Sequence, residues 1–358
     1  IILQLTKIFD PADITYQLNV DTNLVYDATG LYEGGGLHPY RLDSFGLSLP
    51  RLEEESDRYE LLFLGDSIVE ASQVAPETRA AYVVGTSDTL RVYNGARAGA
   101  NIYDMLYNYR HFQRTGVVYD AVVVATQMRD YAVTIEYDND GDSFNHATYR
   151  ARATSSEGGG LIDTVRDLEI VNFLRSFYRT QIAANLSDAR VTNPSLAGTL
   201  ESRANFLEGK TLVESLDDCP SFPRLLETYE AAVRDGFQRL LAVAGESQTQ
   251  VIALSLVDGY TADEADYLVD LRTNVPCGDD LVLSFEASHQ VYDITNAAYL
   301  RIAEELGIAT VDLRGALSDR FNDEGGQLTY DGIHFTEVGN RLVGETLRPV
   351  LEELIARD

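Results

Sequence analysis

Two short stretches, far apart in the chain, hold residue types that could together activate a hydroxyl. The first is Leu61-Leu62-Phe63-Leu64-Gly65-Asp66-Ser67. Four apolar residues running into Gly-Asp-Ser read as a buried parallel strand that ends in a tight turn. Open α/β sheets bind ligands just beyond the carboxyl ends of their strands, so Ser67 falls where a nucleophile would be useful. A helix starting just after it would aim free N–H groups at a developing anion. Gly-Asp-Ser by itself is also ordinary turn chemistry.

The second stretch is Tyr330-Asp331-Gly332-Ile333-His334-Phe335-Thr336-Glu337-Val338-Gly339-Asn340. Asp331 and His334 stand three apart, a spacing that places both side chains on one side of a turn entering a helix. A carboxylate bonded to one imidazole nitrogen sets the tautomer and leaves the other free to take a serine proton. In this order, the two stretches resemble the SGNH (GDSL) hydrolase superfamily of serine esterases and acyl transferases. The resemblance implies an α/β fold: a three-layer α/β/α sandwich with a parallel, flavodoxin-like sheet. It also implies roles, with Ser67 as nucleophile, His334 as base and acid, and Asp331 as the orienting carboxylate.

The elements around these residues follow the same pattern. Leu90 to Tyr93 reads as a strand that ends in Asn94-Gly95-Ala96-Arg97-Ala98-Gly99. Glycines after a strand let backbone approach a ligand closely. By the resemblance, Gly99 N–H joins Ser67 N–H in an oxyanion hole; otherwise the glycines serve only the turn. Tyr119 to Thr126 is an unbroken β-branched run, a central strand. It leads to Gln127-Met128-Arg129-Asp130, where the family has Gly-x-Asn-Asp. Arg129 thus stands in the place of an oxyanion-donating Asn. Arg129 could donate itself, grip an anionic substrate group or pair with nearby carboxylates, and Gln127 could supply an amide instead.

Residues 1–58 form a Tyr-, Gly- and Asp-rich extension with little periodicity. Its Arg41-Leu42-Asp43-Ser44-Phe45-Gly46 resembles an Arg-x-Asn-x-x-Gly segment of exported bacterial members, with Asp43 in the Asn place. His38 reads as a surface or packing residue. Residues 59–358 form the α/β domain, with a helical insertion at about 132–222 in which Leu161 to Leu186 is a long helix. Asp138-Asn139-Asp140-Gly141-Asp142 suggests a calcium loop, but Ser143 and Tyr149 stand where an EF-hand needs Gly and Glu. A solvated acidic turn fits better, and His146 within it has no evident partner. Ile102 to Gln113 reads as a helix with His111 on its surface. Phe222 to Ala244, Gln250 to Val257, the helix from His289 to Leu306, Ile308 to Leu313 and Glu337 to Ala356 complete the α–β alternation.

The 28 basic against 57 acidic residues give a net charge of −29, which argues against nucleic acid or anionic membrane as partner. Lys7 and Lys210 are the only lysines. Such a surface suits high salt, where screening reduces self-repulsion; an acidic exported protein from an arginine-rich genome is the plainer alternative. Ile1-Ile2-Leu3 is compatible with the tail of a signal or membrane anchor. Cys219 and Cys277 are compatible with one disulfide or with two buried thiols. The expectation is an extracytoplasmic esterase that needs no metal or organic cofactor and acts on a small acyl ester or an acylated glycan. An acyltransferase and a non-catalytic glycan-binding or assembly protein remain as alternatives.

Overall fold

The computed structural model describes residues 24–43, 46–50, 58–97, 100–113, 116–126, 191–192, 211–258, 277, 281–330, 332 and 334–356. Five strands form an all-parallel sheet: β4 (Tyr59–Gly65), β5 (Leu90–Asn94), β6 (Ala121–Thr126), β9 (Gln250–Ser255) and β11 (Ala309–Val311). Their spatial order is β11-β9-β6-β4-β5. The first of these strands is thus flanked by the second and third, the flavodoxin-like order, and the direction of winding reverses between β4 and β6. Leu61–Leu64 and Ala121–Ala125 are buried on both faces, which is why each reads as a continuous apolar run with no alternation.

Right-handed crossovers place helices on opposite faces when the winding direction reverses. On one face α2 (Ala80–Gly85) packs against α8 (Glu337–Ile355). On the other, α4 (Phe222–Ser247) packs against both α3 (Ile102–Gln113) and α5 (Phe285–Glu305). The result is the three-layer α/β/α sandwich. Phe237 and Tyr299 meet at 5.0 Å between ring centres, and the Tyr299 hydroxyl donates to Val124 O at 2.8 Å, tying α5 to the central strand. His111, expected on a helix surface, is buried instead, with its ring edge-on to Phe112 at 5.3 Å.

The extension is more ordered than its sequence suggests. The strands β1 (Leu24–Asp27), β2 (Leu37–Leu42) and β3 (Ser48–Leu49) form a sheet with β7 (Val191–Thr192), in the order β3-β2-β1-β7. Strand β2 does alternate between exposed and buried residues. Its inward set, however, is His38, Tyr40 and Leu42, so a hydrophobicity pattern does not display the period. Val191–Thr192, within the expected helical insertion, pairs in parallel with Val25–Tyr26. The strands β8 (Thr211–Val213), within the expected insertion, and β10 (Leu281–Leu283) pair in parallel as well. The expected Leu161–Leu186 helix and acidic turn, with His146, lie outside the described residues.

Cys219 and Cys277 are joined in a disulfide with Cα atoms 4.7 Å apart and a sequence separation of 58. Closing a loop of that length removes entropy from the unfolded chain worth up to about 4 kcal/mol. Urea unfolding of the Cys219→Ser/Cys277→Ser variant is expected to show a loss of that order. A midpoint unchanged from wild type would mean that the link adds nothing to stability.

Candidate active site

Strand β4 delivers Ser67 to the sheet edge. Gly65 is required there by close approach: a Cβ at that position would lie 2.4 Å from Val69 Cγ2 and 3.0 Å from Ala125 O. Asp66 caps the short helix α1 (Ser67–Glu70) by accepting the Ile68 N–H at 2.9 Å. The aspartate of Gly-Asp-Ser is therefore an N-cap, which fixes the direction in which Ser67 leaves the strand. The site lies at the carboxyl end of β4, beside the point where the winding reverses.

His334 reaches the same place from a closed turn. The Tyr330 N–H donates to His334 O at 3.1 Å, and the Thr336 N–H to Leu328 O at 2.9 Å. Gly332 takes φ +82° in this turn, a backbone state that side chains other than glycine rarely adopt. Thr336 caps α8 by accepting the Gly339 N–H at 3.1 Å. The buried Asn340 accepts the Ala80 N–H at 3.3 Å and donates to Phe335 O at 3.1 Å, clamping α8 to both α2 and the turn. The Thr-x-x-Gly-Asn part of the motif is thus a scaffold for His334.

The outcome is that Ser67 Oγ and His334 Nε2 stand 2.8 Å apart, across 267 residues of sequence. That distance allows a hydroxyl proton to pass to an imidazole nitrogen. Asp331, Gly99, Arg129 and Gln127 lie outside the described residues, so of the site residues singled out in the sequence the structure brings together two. Among the described residues, no group of three His, Cys, Asp or Glu side chains could hold a metal ion.

Beside the pair is a cavity of about 130 Å³, lined by Tyr26, Ile68, Ser72, Val74, Tyr330 and Phe335 among others. Tyr26 comes from β1, so the extension forms part of the wall. Behind it, the buried Glu70 accepts the Tyr40 hydroxyl at 2.7 Å. The Arg79 guanidinium lies over the Tyr40 ring at 5.1 Å. It donates to Ala71 O at 3.1 Å, Ser48 Oγ at 2.9 Å, Leu49 O at 3.2 Å and Pro39 O at 3.3 Å. Burial lowers the Arg79 pKa, and it raises that of Tyr40 well above the usual phenol range. Arg97 reaches Gly46 O in the Asp43–Leu47 turn, where Asp43 Oδ1 accepts the Leu47 N–H at 2.9 Å. The partners of Arg79 and Arg97 in the extension are unmarked in sequence, because those contacts join segments that no local pattern relates.

His38 is a packing residue with a polar partner set. Its Nε2 accepts the Gly36 N–H at 3.3 Å and lies 3.2 Å from the Tyr32 hydroxyl and 3.7 Å from Glu337 Oε1. Desolvation depresses its pKa, against the pull of Glu337, and nearby Arg79 lowers it further. The folded protein therefore holds this imidazole neutral more strongly than the unfolded chain does. As pH falls below about 6.5, the unfolded chain takes up the proton first, and stability declines toward the lower folded pKa. Over that range a His38→Gln variant is expected to lose less stability than wild type, as read from urea midpoints; parallel curves would sink the assignment. His289, at the start of α5, is engaged elsewhere: its Nδ1 lies 3.2 Å from Asp258 Oδ2. Arg314 also contacts Asp258, and burial pushes the Arg314 pKa down to about 10.

No described helix is long and apolar enough to cross a membrane. No protein-family model matches the chain, and no curated protein sequence does. Solved structures do. A lipase/acylhydrolase from Enterococcus faecalis is 12% identical, with 82% of this chain and 96% of that one covered and a TM-score of 0.40. A GDSL-like lipase from Bacteroides thetaiotaomicron is 11% identical, covering 85% and 93%, with a TM-score of 0.40. A catalytic mutant of an acetylxylan esterase from Geobacillus stearothermophilus is 14% identical, covering 82% and 94%, with a TM-score of 0.38.

Proposed function

We propose that the chain is a serine ester hydrolase working through an acyl-enzyme. The observation that carries this reading is the 2.8 Å approach of Ser67 Oγ to His334 Nε2 at the end of a sheet strand. As Ser67 Oγ attacks the ester carbonyl carbon, its proton passes to His334 Nε2 and the carbonyl oxygen becomes an oxyanion. Donors for that oxyanion are the Ser67 and Gly99 N–H groups, with Arg129 or Gln127 in the third position. Collapse expels the alcohol, which takes the proton from His334. Water, deprotonated by the same imidazole, then releases the acid and restores the Ser67 hydroxyl. Asp331 orients the imidazole and balances its transient charge. Neither metal nor organic cofactor enters these steps.

The cavity of about 130 Å³ suits a short acyl group, being close to the roughly 150 Å³ space that takes up one benzene ring. The substrate is a small acyl ester, with an O-acetyl group on a carbohydrate as the form to try first. A sugar hydroxyl in place of water would make the enzyme an acyltransferase without other change. The Cys219–Cys277 disulfide fits an oxidising, extracytoplasmic setting, and the −29 charge fits work at high salt.

A fluorophosphonate probe is expected to label folded wild-type protein at Ser67 and to leave Ser67→Ala unlabelled. Failure to label wild type would favour the non-catalytic, glycan-binding reading, for which Arg129 in the place of an oxyanion-hole Asn is the pointer.

A further inference from the structure

Three rings from distant segments lie face to face at the site. The Tyr330 ring stacks on His334, with centres 5.6 Å apart and planes 10° from parallel. Tyr32 stacks in turn on Tyr330, 5.8 Å from it with an interplanar angle of 27°. Tyr32 belongs to the turn between β1 and β2. It is held there by its hydroxyl, which donates to Gln73 O at 3.0 Å, and by its carbonyl, which accepts the Gly35 N–H at 3.0 Å. From the sequence, no pattern links residue 32 to residue 334.

We infer that Tyr330, braced by Tyr32 from the N-terminal sheet, is a positioning residue that holds the His334 imidazole in line with Ser67 Oγ. The inference rests on the reading of that pair as base and nucleophile. An imidazole has two soft torsions, and a flat ring against one face restricts both to the setting in which Nε2 meets the hydroxyl. The same face carries the negative part of the aromatic quadrupole, so it favours the imidazolium formed when Ser67 gives up its proton. Misplacement of a reacting group by about 1 Å can cost on the order of 10²-fold in rate, so a ring that only braces can still govern kcat. The N-terminal sheet would then be part of the catalytic unit, with Tyr32 as its contribution to the base.

Full-length Tyr330→Leu and Tyr32→Leu, with Tyr330→Phe as the conservative partner, test this through two readouts. The first is turnover of p-nitrophenyl acetate. Tyr330→Leu is expected to lower kcat at least tenfold with KM within about twofold, Tyr32→Leu to lower it less, and Tyr330→Phe to retain wild-type kcat. The second is the ring-proton resonances of His334, identified by their disappearance in His334→Asn. They are expected to lose their upfield stacking shift in Tyr330→Leu and to move in Tyr32→Leu as the Tyr330 ring loses its brace. If wild type turns over substrate and Tyr330→Leu changes neither kcat nor the resonances, the bracing role is wrong and the esterase reading stands. If wild type has no activity while the resonances respond as described, the rings do position His334 and the acyl chemistry is what fails.

Discussion

Ser67→Ala is expected to lower kcat/KM for p-nitrophenyl acetate by about 10⁵-fold, or ~7 kcal/mol of transition-state stabilisation. On the proposed mechanism the hydroxyl is the atom that forms the acyl bond, and nothing else in the pair can replace it. His334→Ala should fall by a comparable factor, because an unassisted serine hydroxyl is a weak nucleophile. The double variant should fall no further than either single one. A nucleophile and its base act as one unit, and removing either already removes the pathway. Purified variants assayed across a range of salt concentrations settle the matter. Retention of more than a tenth of wild-type turnover by Ser67→Ala would move the chemistry to another residue. Thermal melts separate chemistry from folding, since Ser67 is only part-buried and makes its side-chain bond to His334.

The largest expected effect on stability belongs to Arg79. It is 3% exposed and donates to three backbone carbonyls and to Ser48 Oγ. Its charge also faces the buried Glu70 and Tyr40. In Arg79→Met, four acceptors lose their donor and the Glu70 carboxylate loses a compensating cation inside the protein. Stranding one member of a buried charge set typically costs about 3–5 kcal/mol, more than the desolvation relieved by removing the cation. Lysine should rescue little, because a single ammonium cannot span acceptors set out for a planar fork. The control is Arg301→Met. Arg301 pairs with Glu230 at 2.8 Å on a half-exposed face, where losing the pair is expected to cost about 1 kcal/mol or less. Urea denaturation distinguishes the two, and equal losses would refute the buried-network account. Because Glu70 lies one turn from Ser67 on α1, Arg79→Met should also blunt the proposed esterase activity.

Legibility in the sequence followed the physics of each element. The central strand β6 was plain, since Ala121–Ala125 is buried on both faces and so must be apolar throughout. The helix Ile102–Gln113 falls within the bounds that its sequence suggests. His111 was misplaced because helical spacing locates a face but does not reveal whether a polar side chain on it is covered. The N-terminal strands were missed for the opposite reason. His38 and Tyr40 point inward, and they are tolerated there only because Gly36, Tyr32 and Glu70 satisfy them. A pattern made of satisfied polar residues resembles loop sequence until the partners are known.

Locally encoded features of this protein are those that neighbouring residues impose on one another. They include the Gly65-Asp66-Ser67 strand end with its Asp66 cap, the turn at Gly332, the Thr336 cap of α8, and the α–β alternation that winds into a parallel sheet. Tertiary structure alone decided that Ser67 and His334 meet across 267 residues, that Tyr32 completes a ring stack on Tyr330, and that Arg79 knits the N-terminal sheet to the Ser67 helix. Backbone hydrogen bonding and side-chain periodicity act over a few residues and leave a local trace. A contact between remote segments depends on how the whole core closes, so it writes no spacing into the chain.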